Sequence, residues 1–134
     1  YPGVQQYMND VVAKAKNDGY VETMFGRRRQ LPDIMSSNRT VRGLAERNAI
    51  NAPIQGSAAD IMKLAMSEIY RRFKNEGIQS KMIMQVHDEV VIDTLLSELD
   101  AVKHIVKEAM ESVARLSVPL IAEVNSADNW LDAH

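Results

Sequence analysis

Residues 81–93 read Lys81-Met82-Ile83-Met84-Gln85-Val86-His87-Asp88-Glu89-Val90-Val91-Ile92-Asp93. Two apolar runs of strand length flank a three-residue polar tip, His87-Asp88-Glu89, which is the pattern of a β-hairpin. No glycine stands at the tip, so the turn type stays open. The tip sets an imidazole and two adjacent carboxylates between strands too apolar to face solvent on both sides. Carboxylate oxygens are the donors that a hard cation such as Mg²⁺ takes, and a rigid hairpin can hold them toward a cleft. The same residues also fit an ordinary turn, because Asp is a favoured turn residue and Glu a solvated neighbour.

Downstream of the hairpin, Ser97 to Leu116 carries Leu99, Val102, Ile105, Val106, Ala109, Met110 and Val113 at helical spacing and is read as an amphipathic helix. A strand over Leu120–Val124 and a polar tail to His134 follow. Upstream, Ile61, Met62, Ala65, Met66, Ile69, Tyr70 and Phe73 form a broad apolar stripe, closed by Gly77. Ser36-Ser37-Asn38 supplies helix-start residues for a helix from about Thr40 to Ile50, with Pro53 interrupting it or opening the next one. The N-terminal third reads as a helix over 4–16 capped at Gly19, then a small hairpin of Tyr20–Phe25 and Arg27–Leu31. The pattern is α+β, without repeats, linkers or low-complexity segments.

The chain has 134 residues, 46% apolar and 25% charged, with no cysteine. This is globular composition, and a chain of this size is expected to bury roughly two-thirds of its unfolded surface, enough for one core. Without cysteine there is no thiol nucleophile, iron–sulfur cluster, Cys-based zinc site or disulfide, which fits a reducing compartment. Apolar runs are far too short to span a bilayer, and no secretory signal opens the sequence. The start at Tyr1 is read as that of a trimmed or excerpted chain.

The net charge of −2 averages two unlike segments. Residues 27–47 hold six Arg against Asp33 and Glu46, a balance of +4, whereas residues 88–134 balance at −7. Such segregation fits phosphates at one surface and cations at another, and equally two solvated faces. Within the basic segment Arg47, Asn51 and Gln55 stand four apart and Arg42 lies five before Arg47. On one helical face they would align a guanidinium and two amides, groups that bond to phosphates and to minor-groove base edges. Pro53 argues against one unbroken helix there. Asn51 before Pro53, and Ser57 with Asp60, read alternatively as helix-capping residues. A phosphohydrolase of the His-Asp type would need more ligands than His104 and His134 can add to the tip.

Taken together, the segments resemble the C-terminal part of family A DNA polymerases, the bacterial DNA polymerase I type. The likeness rests on Tyr1-Pro2-Gly3-Val4, Gly19-Tyr20-Val21-Glu22-Thr23, Gly26-Arg27-Arg28-Arg29, Leu31-Pro32-Asp33-Ile34 and Ala45-Glu46-Arg47. It continues through Asn51-Ala52-Pro53-Ile54-Gln55-Gly56-Ser57-Ala58-Ala59-Asp60, Gln85-Val86-His87-Asp88-Glu89, Asn129-Trp130 and Ala133-His134. The strings at 51–60 and 85–89 are the specific ones.

The resemblance implies one C-terminal portion of a polymerase domain over residues 1–134. About 1–50 would form a fingers-to-palm segment and about 51–134 a palm segment, with the motif C hairpin at 81–93. Asp88 would be one of two aspartates that ligate a catalytic Mg²⁺ pair, Glu89 an accessory carboxylate at the metal site, and His87 a contact to the primer terminus. Arg47, Asn51 and Gln55 would track the primer–template minor groove near the growing end, and Arg42 would contact the primer-strand backbone. The implied partners are primer–template DNA and deoxynucleoside triphosphates, with no membrane, in a cytoplasmic, nucleoid-associated enzyme of DNA replication and repair. Nothing in the chain resembles motif A, which carries the other metal-binding aspartate, or the fingers helix that holds the nucleotide. The segment alone is therefore expected not to extend primers, and to self-associate through apolar faces meant for missing parts. The rival expectations are a non-catalytic DNA-binding module and a plain α+β domain with segregated surface charge.

Overall fold

The computed structural model describes residues 1–134. In chain order it contains α1 (Pro2–Asp18), β1 (Tyr20–Glu22), β2 (Arg28–Gln30), α2 (Arg39–Asn75), β3 (Lys81–Val86), β4 (Glu89–Asp93), a 3₁₀ turn (Leu96–Glu98), α3 (Leu99–Ser112) and α4 (Trp130–Ala133). β1 pairs with β2 and β3 with β4, both antiparallel, as two separate two-stranded sheets. The α+β reading of the sequence holds. The chain divides into two compact units, Tyr1–Asp60 and Ile61–His134, with the division inside α2. Where one core was expected, the buried residues form two clusters.

In the first unit, Pro2 opens α1 at a position where its missing N–H costs nothing, and Gly19 ends it in the left-handed conformation at φ 79°. Ala15, Val21, Leu31, Ile34, Ala45 and Ala49 make the core, flanked by Val11 and Ala52. Asn38 caps α2 as its residue type predicts, its Oδ1 accepting from the N–H groups of Thr40 and Val41 at 3.0 and 3.3 Å.

Pro53 does not end that helix. α2 runs unbroken for 37 residues with Pro53 inside it. A mid-helix proline forfeits one hydrogen bond and crowds the preceding turn, at about 3 kcal/mol, so packing has to offset it. Ala45, Ala49 and Ala52 supply that packing on one side. On another, the Ser57 hydroxyl donates to the Pro53 carbonyl and accepts from the Met24 N–H at 2.8 Å, tying the turn to the β1–β2 loop. Ser57 and Asp60 are thus interior residues of α2 rather than a capping pair.

The β1–β2 hairpin lies directly on the α2 backbone at Gly56. A Cβ there would sit 2.7 Å from the Thr23 Cγ2 methyl, so any residue but glycine would force the Thr23 side chain or the loop to shift. Arg27 completes the contact, its Nε donating to Asp60 Oδ1 at 2.9 Å and its Nη2 to the Gly56 carbonyl at 3.4 Å.

In the second unit, Ile69 and Phe73 of α2 pack with Val102, Ile105, Val106 and Ala109 of α3. Met82 and Ile92, a directly paired couple across β3–β4, rest on this cluster. The register then slips between Met82 and Met84, leaving Ile83 as the extra residue of a bulge and 63% exposed. The expected strand at 120–124 is absent. No neighbouring strand offers a ladder, and α3 side chains take the backbone groups instead: Lys107 Nζ donates to the Ala122 carbonyl at 2.8 Å, and Ala122 N–H to Glu111 Oε1 at 3.3 Å. The expected helix over 97–116 is likewise shorter, a 3₁₀ turn followed by α3 ending at Ser112.

Glu98 anchors the foot of the hairpin. Its carboxylate accepts from the N–H groups of Gln79 and Ser80, both at 2.9 Å, and from the Ser80 hydroxyl at 2.7 Å. The Gln79 N–H, then the Ser80 hydroxyl, favour the charged form and hold the Glu98 pKa below its ordinary value, against a smaller opposing effect of burial. A carboxylate with a depressed folded-state pKa stabilises the fold above its unfolded-state pKa, and that contribution disappears as pH falls through the folded value. Glu98→Gln is therefore expected to lower stability at neutral pH and to flatten the loss of stability below the ordinary glutamate range. Urea midpoints measured down that range check it, and a slope identical to wild type counts against the assignment.

Candidate catalytic and nucleic-acid interface

The β3–β4 tip is a two-residue turn. Glu89 pairs with Val86 in the ladder, so only His87 and Asp88 lie outside it, one residue fewer than the sequence pattern implied. His87 has φ 52° and is the one non-glycine residue in left-handed territory, while Asp88 is not. A positive φ at the first central position marks one of the primed hairpin turns, whose twist matches the strands they join. This explains how the tip does without glycine: His87 tolerates the conformation, and the paired strands impose it. Gln85 Nε2 braces the turn by donating to the His87 carbonyl at 2.5 Å.

The two carboxylates of the tip sit in different surroundings. Asp88 is exposed and takes part in none of the hydrogen bonds or ion pairs of the chain. Glu89 is half-buried, and its Oε1 accepts from Trp130 Nε1 at 2.9 Å and lies 3.1 Å from His134 Nε2. The segment read as a polar tail therefore contains a short helix, α4, that returns to the tip. Asn129 caps it, accepting from the Asp132 N–H at 2.9 Å. The signal was present in the sequence as Asn129 followed three residues later by an acidic residue, a helix-start pattern easily passed over near a terminus.

As a cation site the tip fits in kind and falls short in number. Asp88 and Glu89 offer the carboxylate oxygens that Mg²⁺ prefers, yet the chain brings no three His, Asp or Glu side chains together as a metal cluster. The carboxylates present suit a site to which further ligands are added.

In the first unit, Arg47, Asn51 and Gln55 are exposed on α2 without internal partners. Because Pro53 leaves the helix intact, they stand one above another, each step of four residues advancing about 6 Å. Arg42 behaves differently. It is half-buried, its Nη1 donating to the Ser36 carbonyl at 3.1 Å and its Nε 4.0 Å from Glu46. Arg27, Arg28 and Arg29 are consecutive in the basic segment, and the structure separates them. Arg27 is committed to Asp60. Arg28 pairs with Glu22 at 2.9 Å and stacks over the Tyr20 ring at 4.3 Å. Arg29 alone is exposed and uncommitted. All three, with Thr23, Gln55 and Gly56, line a shallow cavity of about 220 Å³.

The sequence model of DNA polymerase family A matches residues 1–132. The chain belongs to DNA polymerase family A. It is 53% identical over 133 residues to DNA polymerase I of Streptococcus pneumoniae, 99% of this chain and 15% of that protein. The DNA polymerase I of Geobacillus stearothermophilus is 46% identical over 133 residues, with the same coverage. Among solved structures, the polymerase domain of Pol1 from M. smegmatis, in complex with DNA primer-template and dNTP, matches with a TM-score of 0.88 and 48% identity. That match covers 90% of this chain and 21% of the other. The family A chain described here thus spans about 15% of the length of these curated relatives. No helix in it is long and apolar enough to cross a membrane.

Proposed function

We propose that this chain is the C-terminal portion of a DNA-directed DNA polymerase that transfers a nucleotidyl group from a deoxynucleoside triphosphate to a primer 3′ end during DNA replication and repair. The observation that carries the reading is the exposed, unpartnered Asp88 at the tip of a rigid hairpin, in a chain of family A. Residues of about 1–50 serve as a fingers-to-palm segment and those of about 51–134 as palm, with the motif C hairpin at 81–93. In the reaction a bond forms between the primer O3′ and the α-phosphorus, and the bond to the leaving pyrophosphate breaks. Bound Mg²⁺ supplies Lewis-acid chemistry at the attacking and leaving oxygens.

The chain's own residues then divide the remaining work. Asp88 offers the ligand oxygen, Glu89 adds negative charge beside it, and His87 meets the primer terminus. Arg47, Asn51 and Gln55 lie along the minor groove, where purine N3 and pyrimidine O2 are acceptors in every base pair, so they sense pair shape without reading sequence. Arg42 contacts the primer backbone, its reach set by the Ser36 carbonyl that already holds its other side. The setting proposed for the polymerase is the bacterial cytoplasm, in association with the nucleoid.

One aspartate does not complete a two-metal site. The purified 134-residue chain is accordingly expected to give no primer extension above a no-enzyme control, while the intact polymerase extends primers with Mg²⁺ and stops on addition of EDTA. An intact protein that binds DNA in a salt-dependent way, with or without EDTA, and never extends a primer would instead be a non-catalytic DNA-binding module.

A further inference from the structure

We propose that Trp130 and His134 are positioning residues for the carboxylate pair at the hairpin tip, acting through Glu89. This rests on the polymerase reading of that tip. Two ring nitrogens, Trp130 Nε1 and His134 Nε2, from residues 41 and 45 further along the chain, converge on the single oxygen Glu89 Oε1 at 2.9 and 3.1 Å. An indole N–H acts only as a donor, so the Trp130–Glu89 contact has one direction. The clasp is itself braced. The Trp130 and His134 rings pack at 5.4 Å, and His134 Nδ1 lies 3.1 Å from the Trp130 carbonyl, so the two side chains support one another. Asn129 fixes the start of this turn, bonding through both ends of its amide to Asp132.

Adjacent carboxylates on one turn repel and, if free, sample many arrangements. The clasp removes that freedom from Glu89 while leaving Asp88 unpartnered. Asp88 is thereby presented alone and outward, with its neighbour's charge held at a fixed place. A glutamate tethered in this way contributes to the field at the tip without competing with Asp88 for the same face. The C-terminal turn is on this view part of the machinery that aims the tip.

The test uses the intact polymerase. With 5-fluorotryptophan labelling, the Trp130 fluorine resonance is identified by its loss in Trp130→Phe, and Glu89→Ala is expected to shift it. The pair Trp130→Phe and His134→Ala is expected to lower kcat about fivefold and to raise the half-saturating Mg²⁺ concentration about threefold, leaving the KM for nucleotide within about twofold. Introduced on a Glu89→Ala background, the same pair should change both quantities by less than about twofold, because the residue it acts through is gone. An unmoved resonance on Glu89→Ala, or losses that multiply on that background, overturns the proposal. Retention of turnover by Asp88→Ala would instead sink the polymerase reading of the tip, and the fluorine resonance would still report whether the clasp exists.

Discussion

Asp88→Ala in the intact polymerase is expected to lower primer extension by about a thousandfold or more, equivalent to about 4 kcal/mol of barrier, while leaving primer–template affinity nearly unchanged. The separation of the two effects follows from the surroundings of the side chain. Asp88 is exposed and bonded to nothing in the chain, so its removal unsatisfies no buried group and costs the fold little. The backbone at the tip is set by His87 and by the Val86–Glu89 pair, neither of which needs the Asp88 carboxylate. On the role proposed for Asp88, what is lost is a metal ligand, felt only when chemistry is attempted. Single-turnover extension and DNA binding by anisotropy, on the same preparation, check both halves. Turnover within about tenfold of wild type, a barrier change of roughly 1.4 kcal/mol, would mean that the ligand role belongs elsewhere.

Ile69→Ala is expected to destabilise the chain by about 2–5 kcal/mol, the range for deleting a fully buried branched side chain from a packed site. Ile69 is wholly buried where α2 meets α3, and the cluster it belongs to is also the support on which Met82 and Ile92 seat the hairpin. That cluster contains six buried residues, so a cavity there removes a large share of the packing and has few neighbours able to refill it. Urea denaturation measures the loss. Ile83→Ala supplies the contrast: the residue sits in the apolar run of β3, but the bulge turns it 63% into solvent, and its replacement should cost within about 0.5 kcal/mol. Equal costs for the two substitutions would mean that the hairpin does not rest on α2 and α3 as described.

That pair of isoleucines also shows what a sequence pattern carries and what it omits. Period-two and period-3.6 patterns reported which segments become strands and helices, because burial of one face is what makes either stable. They gave no sign of the Ile83 bulge, which depends on the partner strand. Pro53 suggests an interrupted helix or the start of a new one because its local cost is real, and the compensation comes from Ala45, Ala49 and the Ser57 hydroxyl, partners that only folding brings to it. The 120–124 segment has strand composition without a strand beside it, and composition does not reveal whether a ladder partner exists. For the tip, residue types identified Asp88 and Glu89 as carboxylates of interest but not that Trp130 and His134 close on one of them. For the basic run, the charges of Arg27, Arg28 and Arg29 were plain in the sequence, whereas their division into a strut, a surface pair and a free guanidinium follows from Asp60, Glu22 and Gly56.

The two-residue turn at His87-Asp88 carries a consequence for how this region can vary. Side chains along a strand alternate between faces, so adding or removing a single residue at the tip would rotate one arm of the hairpin by half a turn relative to the other. Met82 and Ile92 could then no longer both point into the α2–α3 cluster, and Glu89 could no longer face Trp130. Changes of identity at the first turn position are milder, since glycine or asparagine adopts the left-handed conformation that His87 already holds. The length of this loop is therefore under tighter constraint than its composition. Insertions and deletions here should be purged from viable variants even where substitutions survive.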